Sequence, residues 1–256
     1  MFPGIFPRPW RVVGVLLLIA AVGAGIWAWE RAGSSTEVSE ERALETYREG
    51  GGPAAARPGV PRAGVYTFHQ TGTESGGAGP VDIDRGLPDR ARYVITPSPG
   101  GYTEELDISE EHVEVVRLRV GPKRTMETWR RTEVTFLGVG RDDRRDIEPP
   151  AIRLLRPLTV GRTWSSSYRA GSLPVTTTSV VERSEAVELE GRRYATRVIR
   201  TVGDTGGVHP GRRVDVIWWS PALALPLRWE IEMEIRGTFS LRTEATLVLE
   251  SAEPTV

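Results

Sequence analysis

The feature that most constrains the fold is an alternation of apolar and charged residues near the C-terminus. Every second residue from 225 to 235 is apolar: Leu225, Leu227, Trp229, Ile231, Met233 and Ile235. The residues between them are charged, apart from Pro226. Because successive side chains of a strand point to opposite faces, this period places one face in a core and the other in water. At about 3.3 Å per residue the strand is nearly 40 Å long.

A second long strand follows the first after a turn at Gly237-Thr238. It continues the pattern with apolar residues at alternating positions: Phe239, Leu241, Ala245, Leu247 and Leu249. Two long neighbouring strands with one solvated face indicate an antiparallel sheet, and so long a sheet must twist and coil. We therefore predict a mainly β fold with one curved antiparallel sheet, as a half-barrel or open barrel. Its concave face is filled by side chains, covered by a helix, or left as a ligand cavity.

The rest of the chain after Gly50 also favours strands, because no segment shows a convincing helical period. Val175 to Leu189 is rich in Thr and Val, which favours a strand. Thr71 to Pro80 is rich in small residues and Arg141 to Pro150 in charged ones, so both are predicted to be loops.

The N-terminal part predicts a membrane anchor. Val12 to Trp29 carries no charge over eighteen residues, and at about 1.5 Å per residue it spans about 27 Å, close to the thickness of a bilayer core. Arg8 and Arg11 precede it, so the N-terminus is predicted to be cytoplasmic. The alternative is a cleaved signal peptide, whose apolar core is shorter, about 7 to 15 residues. Trp27 and Trp29 disrupt the obvious cleavage sites.

The predicted organisation has five parts: a cytoplasmic tail (1–11), a transmembrane helix (12–29), a juxtamembrane helix (30–49), a Gly/Pro/Ala linker (50–63) and an exterior β domain (64–256). The predicted location is the plasma membrane of a bacterium, crossed once, with the C-terminal domain extracytoplasmic.

The juxtamembrane helix has a thin apolar edge formed by Val38, Leu44 and Tyr47. Two interpretations stay open for it. The helix is a solvated stalk, or its edge docks on the sheet or on a partner.

Composition excludes several classes of function. The chain has 33 basic and 34 acidic residues, which does not predict nucleic-acid binding. It has no cysteine, and its three histidines lack the spacing of metal ligands. Motifs for hydrolase nucleophiles, zinc proteases and phosphate loops are absent. We therefore predict no cofactor and no enzyme; a pocket with clustered, perturbed acids or histidine would indicate otherwise.

Two acidic segments resemble ion sites only in part. Asp82 to Gly86 has half the pattern of a calcium loop but lacks the later ligands, so a plain turn is predicted. Asp142 to Asp146 is nearly balanced in charge, which indicates a self-paired surface loop rather than a metal site.

The paired tryptophans before the long strand allow two interpretations. Trp218 and Trp219 must face opposite sides if both lie in a strand, and Ser220-Pro221 ends that strand. The pair either packs the corner of a β-hairpin or forms an aromatic mouth to an apolar cavity. The corner resets the register, so which tryptophan faces inward stays open.

A series of short motifs resembles a family of bacterial envelope proteins. The motifs, in order, are Gly161-Arg162-Thr163-Trp164, a hairpin from Val180 to Gly191-Arg192-Arg193-Tyr194, Trp218-Trp219-Ser220-Pro221, and Leu225-Pro226-Leu227-Arg228. Together they resemble the uncharacterised TapB-like proteins over roughly residues 155 to 250. The resemblance implies a curved half-barrel, similar in outline to lipoprotein carriers that hold acyl chains. The chain departs at Ala224, where a glycine is usual, and the family implies no established activity.

These observations lead to two hypotheses. The first is a binding module for an apolar or amphiphilic envelope ligand such as a lipid on the concave face, with five candidate residues: Trp218, Trp219, Leu227, Trp229 and Ile231. The second is an interaction or scaffold domain for an envelope protein, with a filled core and an exposed apolar patch.

Overall fold

The computed structural model describes residues 34–51, 59–78, 81–136, 139–207, 210–237 and 239–256. In these ranges the chain forms one helix, α1 (Glu40–Glu49), and thirteen strands. In chain order the strands are β1 (Gly64–Ala78), β2 (Val81–Gly86), β3 (Arg90–Ser98), β4 (Gly101–Ser109), β5 (His112–Val120), β6 (Arg124–Phe136), β7 (Val139–Leu155), β8 (Thr163–Ala170), β9 (Leu173–Leu189), β10 (Arg192–Thr205), β11 (Gly211–Ser220), β12 (Leu225–Ile235) and β13 (Phe239–Leu249).

Twelve of the strands form a closed antiparallel barrel. Each strand from β3 to β13 pairs with its neighbours in chain order, and β1 closes the ring by pairing with β3 and β13. The closing pair runs from Phe68 opposite Leu249 to Ala78 opposite Phe239. The thirteenth strand, β2, continues the line of β3 along β1. The predicted half-barrel or open barrel is therefore wrong. Closure gives a hydrogen-bonding partner to the backbone groups that would be unpaired at the two edges of an open sheet.

The segment Thr71 to Pro80, predicted to be a loop, belongs to β1 as far as Ala78. In this segment Gly72 is required by close backbone packing and not by a loop. A Cβ on Gly72, whose φ is +148°, would lie 2.0 Å from the carbonyl oxygen of Glu244 on β13. Glycine here permits the close approach of two backbones where the barrel closes.

The predicted charged loop Arg141 to Pro150 is also wrong, because these residues lie within β7 and pair with β6 as far as Asp146. Arg131 donates to Asp142 at 2.9 Å across that pairing. The prediction that the segment pairs its own charges is confirmed by Arg144 and Asp142, whose side chains are 2.9 Å apart.

The predicted transmembrane helix over 12–29 lies outside the described residues. Within the part of the chain that the structure describes, no helix is long and apolar enough to cross a lipid bilayer.

Helix α1 packs on the outer surface of the barrel. Ala43 and Tyr47 on the helix are buried against Val65 of β1 and Val94 of β3. Val65 and Val94 point outward, because their neighbours Tyr66 and Tyr93 point into the barrel core. Of the two interpretations of this helix, docking on the sheet is the one observed.

The inward side chains divide the barrel into two halves. The core half lies toward the β11–β12 corner and is filled mainly by large apolar side chains: Tyr66, Phe68, Tyr93, Tyr102, Leu118, Trp164, Ile199, Ile217, Trp219, Leu227, Trp229 and Leu247. The mouth half lies toward the β8–β9 and β12–β13 turns, and its described residues form two small apolar clusters. Any open space suited to a ligand is therefore expected in the mouth half.

The junction of β7 and β8 has the fewest strand pairs in the described barrel. The two strands pair at Ile147 with Ala170 and at Glu148 with Arg169. The next two residues of β7 are both proline, which has no backbone N–H to donate. The ladder therefore stops there.

Side chains of β8 replace the missing backbone pairs. The hydroxyl of Ser166 accepts a hydrogen bond from the backbone N–H of Ile152 at 2.9 Å. The indole N–H of Trp164 donates to the carbonyl of Ile152 at 3.2 Å. Two side chains on one strand thus hold both backbone groups of one residue on the other.

We expect Ser166→Ala to lower the free energy of unfolding by about 1 kcal/mol, because the N–H of Ile152 loses its acceptor. Ser167→Ala is the matched control, since Ser167 lies on the same strand and is exposed on the outer face. Denaturant titration of both variants measures the difference. Equal effects of the two substitutions would show that the Ser166 bond does not hold this junction.

Candidate functional site

A cavity of about 180 Å³ opens in the mouth half of the barrel. Its walls are largely apolar and include side chains from six strands: Val134, Ile147, Tyr168, Val175, Met233 and Leu241. Inward positions of the six strands meet here because the barrel is closed. The site is thus a concave apolar surface of the kind that holds small molecules.

Three charged side chains form the floor of this cavity: Glu114, Arg130 and Arg213. Arg213 donates from Nη1 to Glu114 Oε1 at 2.5 Å and from Nε to Asp215 Oδ2 at 2.9 Å. Arg130 donates from Nε to Glu127 Oε1 at 2.9 Å. Each floor arginine is therefore held by at least one carboxylate.

The ion pairs of the floor continue across the barrel interior to β1. The imidazole of His112 has Nδ1 2.6 Å from Glu74 Oε1 and Nε2 3.4 Å from Glu114 Oε1. Glu74 also accepts from Arg85 Nε and from the hydroxyl of Thr243, both at 3.0 Å. Glu74 and His112 have no exposed surface. We call these residues the interior charge network: Arg85, Glu74, His112, Glu114, Arg213 and Asp215.

The network shifts the pKa values of its members. Burial acts to lower the pKa of His112, but the carboxylates of Glu74 and Glu114 outweigh it and raise that pKa from 6.5 to about 9. Burial acts to raise the pKa of Glu74, but the charges of His112 and Arg85 hold it at about 2. Burial is likewise outweighed at Glu114, where Arg213 and His112 hold the pKa well below its usual value. At neutral pH His112 is therefore protonated, and Glu74 and Glu114 are ionised.

The network only partly matches the pattern that would indicate an enzyme. It contains buried acids and a histidine with shifted pKa values, but His112 and Glu74 do not line the cavity. The members that reach the cavity, Glu114 and Arg213, are bound to each other. Among the described residues, no group of histidine and acidic side chains is arranged to hold a metal ion.

Four of the five predicted ligand-binding residues lie inside the barrel but in the core half. Trp219, Leu227, Trp229 and Ile231 pack in its main apolar cluster. The cavity that Trp219 and Trp229 line there is only about 20 Å³, too little for an organic ligand. The structure therefore separates these residues from the 180 Å³ cavity.

The fifth predicted residue, Trp218, lies on the outer face. Its ring packs under the guanidinium groups of Arg183 and Arg228, at 5.5 and 4.7 Å from the ring centre. A shift of register between Trp218 and Trp219 lies at the end of β11. Trp219 is thus the inward member of the pair, which the sequence left open.

Comparisons of the chain with protein-family models, with curated proteins and with solved structures found no match. The resemblance to TapB-like proteins stays a prediction.

The floor and the network are not among the features predicted from the sequence, although a signal for them exists. On β5 and β11 the inward positions change from charged to apolar toward the core half: His112, Glu114, Val116 and Leu118 on β5, and Arg213, Asp215, Ile217 and Trp219 on β11. Such a change on one face of a strand indicates a polar layer inside the barrel. The signal is visible only once the inward face of each strand is known.

We expect the free energy of unfolding to fall by about 3 kcal/mol between pH 6.5 and pH 9.5 because of His112. Its pKa is raised in the folded state, so its contribution is complete below pH 6.5 and is lost as pH rises through about 9. His112→Gln removes this part of the pH dependence. Denaturant titrations at several pH values measure it.

His69→Gln is the control for this experiment, because His69 is exposed on the outer face of β1. It should keep the pH dependence of the unmodified protein. A His112→Gln protein with the same decrease in stability between pH 6.5 and 9.5 would contradict the charged state assigned to His112.

Proposed function

We propose that the barrel is a binding module for a small apolar or amphiphilic molecule, held in the cavity of the mouth half. The cavity of about 180 Å³, with apolar walls above a charged floor, supports this proposal. Apolar walls with a few converging polar groups are typical of ligand sites. The ligand site proposed here is therefore at the mouth and not at the packed tryptophans of the core half.

The volume limits what the cavity holds. An apolar cavity of about 150 Å³ accommodates benzene, so about six to eight non-hydrogen atoms of a ligand fit inside this one, and the end of a longer chain reaches out through its open mouth. A whole lipid is too large, but part of a chain or a small amphiphile fits. The cavity alone supports this choice of ligand, and the envelope location stays a prediction.

The scaffold hypothesis has less support. Among the described residues, the large apolar side chains that are exposed are three single valines: Val160 between β7 and β8, Val248 on β13 and Val256 after β13. A protein interface built on an apolar patch needs a contiguous surface. Docking on a partner was one interpretation of the apolar edge of α1. In the structure this edge packs on β1 and β3 of the barrel.

We expect Ala170→Leu to weaken the binding of 1-octanol at least tenfold, because Ala170 lines the cavity and three more carbon atoms would occupy its space. Calorimetric titration of the purified chain with octanol measures the affinity. The matched control is Ala195→Leu, an identical change at an exposed position of β10.

Thermal denaturation establishes that both leucine variants are folded. The proposal fails if the unmodified protein does not bind octanol. It also fails if Ala170→Leu and Ala195→Leu bind octanol equally well, since the ligand would then lie elsewhere.

A further inference from the structure

The charges around the cavity are already paired. Arg130 donates two hydrogen bonds to Glu127, at 2.9 and 3.2 Å. Arg213 is shared between Glu114 and Asp215. Charged side chains nearer the rim follow the same rule: Arg145 pairs with Asp143, Arg212 with Asp204, and Glu234 with Arg236. Each arginine named here is bound to a carboxylate. None of them is therefore available to bind an anionic ligand.

The floor is also balanced as a whole. Four carboxylates in and behind it, those of Glu104, Glu114, Glu127 and Asp215, face the imidazolium of His112 and three guanidinium groups, those of Arg130, Arg153 and Arg213. A ligand with a carboxylate or ammonium group would add one unpaired charge between apolar walls. Removing that charge from water costs free energy that no opposite charge in the floor offsets.

The floor can still form hydrogen bonds with a neutral group. A guanidinium has five N–H donors on three nitrogens. In its bonds to described residues Arg213 uses Nε and Nη1, and Arg130 uses Nε and Nη2. Each floor arginine therefore has one terminal nitrogen left to donate, and the carboxylate of Glu114 has a second oxygen that can accept. A group that both accepts and donates fits between them.

From this arrangement we infer that the ligand of the cavity is uncharged, with an apolar body against the walls and a hydroxyl or primary amide group on the floor. The inference rests on the proposed function and specifies the class of ligand. It distinguishes alcohols and amides from fatty acids and amines of the same length.

The test is a titration of the full chain, in detergent-free buffer at pH 8, with four probes of equal chain length: 1-octanol, octanoate, octylamine and octane. Calorimetry gives the four affinities. The expected result is that octanol binds at least tenfold more tightly than each of the other three. Octanoate or octylamine binding as tightly as octanol would overturn the inference of an uncharged ligand. Octane binding as tightly would overturn the inference of a polar end.

The proposed function and the inference fail in different ways. If none of the four probes binds, the proposed function is wrong and the inference falls with it. If a charged probe or octane equals octanol, the cavity binds amphiphiles or apolar molecules and only the inference is wrong.

Two neighbouring substitutions test whether ion pairing causes the selectivity. Asp143→Asn removes the carboxylate that holds Arg145 at the cavity wall, where their side chains are 2.8 Å apart. The arginine then becomes available to an anion. We expect the ratio of octanoate affinity to octanol affinity to rise about tenfold.

Asp142→Asn is the matched control for that substitution. Asp142 is the preceding residue, lies on the outer face and pairs with Arg131 and Arg144. The Asp142→Asn protein should have the same ratio of octanoate affinity to octanol affinity as the unmodified protein. An unchanged ratio in Asp143→Asn, with both variants folded by thermal denaturation, would overturn the inference that paired charges set the ligand class.

Discussion

Closure of the sheet is the constraint on which the rest of the structure depends. β1 and β13, the first and last strands of the sheet, pair over eleven residues, from Phe68 to Ala78 on β1. The pairing of β1 with β13 closes a long amphipathic sheet into a barrel with an inner and an outer face. The inward face of every strand must then either pack, form hydrogen bonds, or border a cavity. The charged outer face of β12 and the docking of α1 on β1 and β3 follow from the same division.

The interior meets that demand differently at its two ends. Aromatic and aliphatic side chains fill the core half, whereas the mouth half is built around the interior charge network. Buried charges are tolerated there because each has a partner of opposite sign and His112 is held in its charged form. Large polar side chains such as Arg213 do not interdigitate as apolar ones do. The space that they leave beside Met233 and Tyr168 is the cavity.

The alternation in β12 predicted the inward face correctly, but the binding residues predicted on that face lie away from the 180 Å³ cavity. Leu227, Trp229 and Ile231 do point into the barrel, since alternation determines the face of a strand. Alternation does not say which part of that face is packed, and these residues lie where the packing is tight. The backbone conformation at Ala224 is another property that the alternation does not determine. This residue stands where the TapB-like pattern has glycine, and its φ of +56° is a conformation that glycine adopts with less strain.

The sequence by itself determined that the fold is mainly β, which residues of β12 face inward, and that a helix forms near Glu40–Glu49. These properties depend on neighbours within a few positions, where periodicity and capping act. Only the tertiary structure decided closure, the charge network and the cavity. Thr243 reaches Glu74 from 169 positions away and Arg213 reaches Glu114 from 99 positions away. No local pattern encodes such pairs, because they exist only when β1 meets β13 and the strands enclose a common interior.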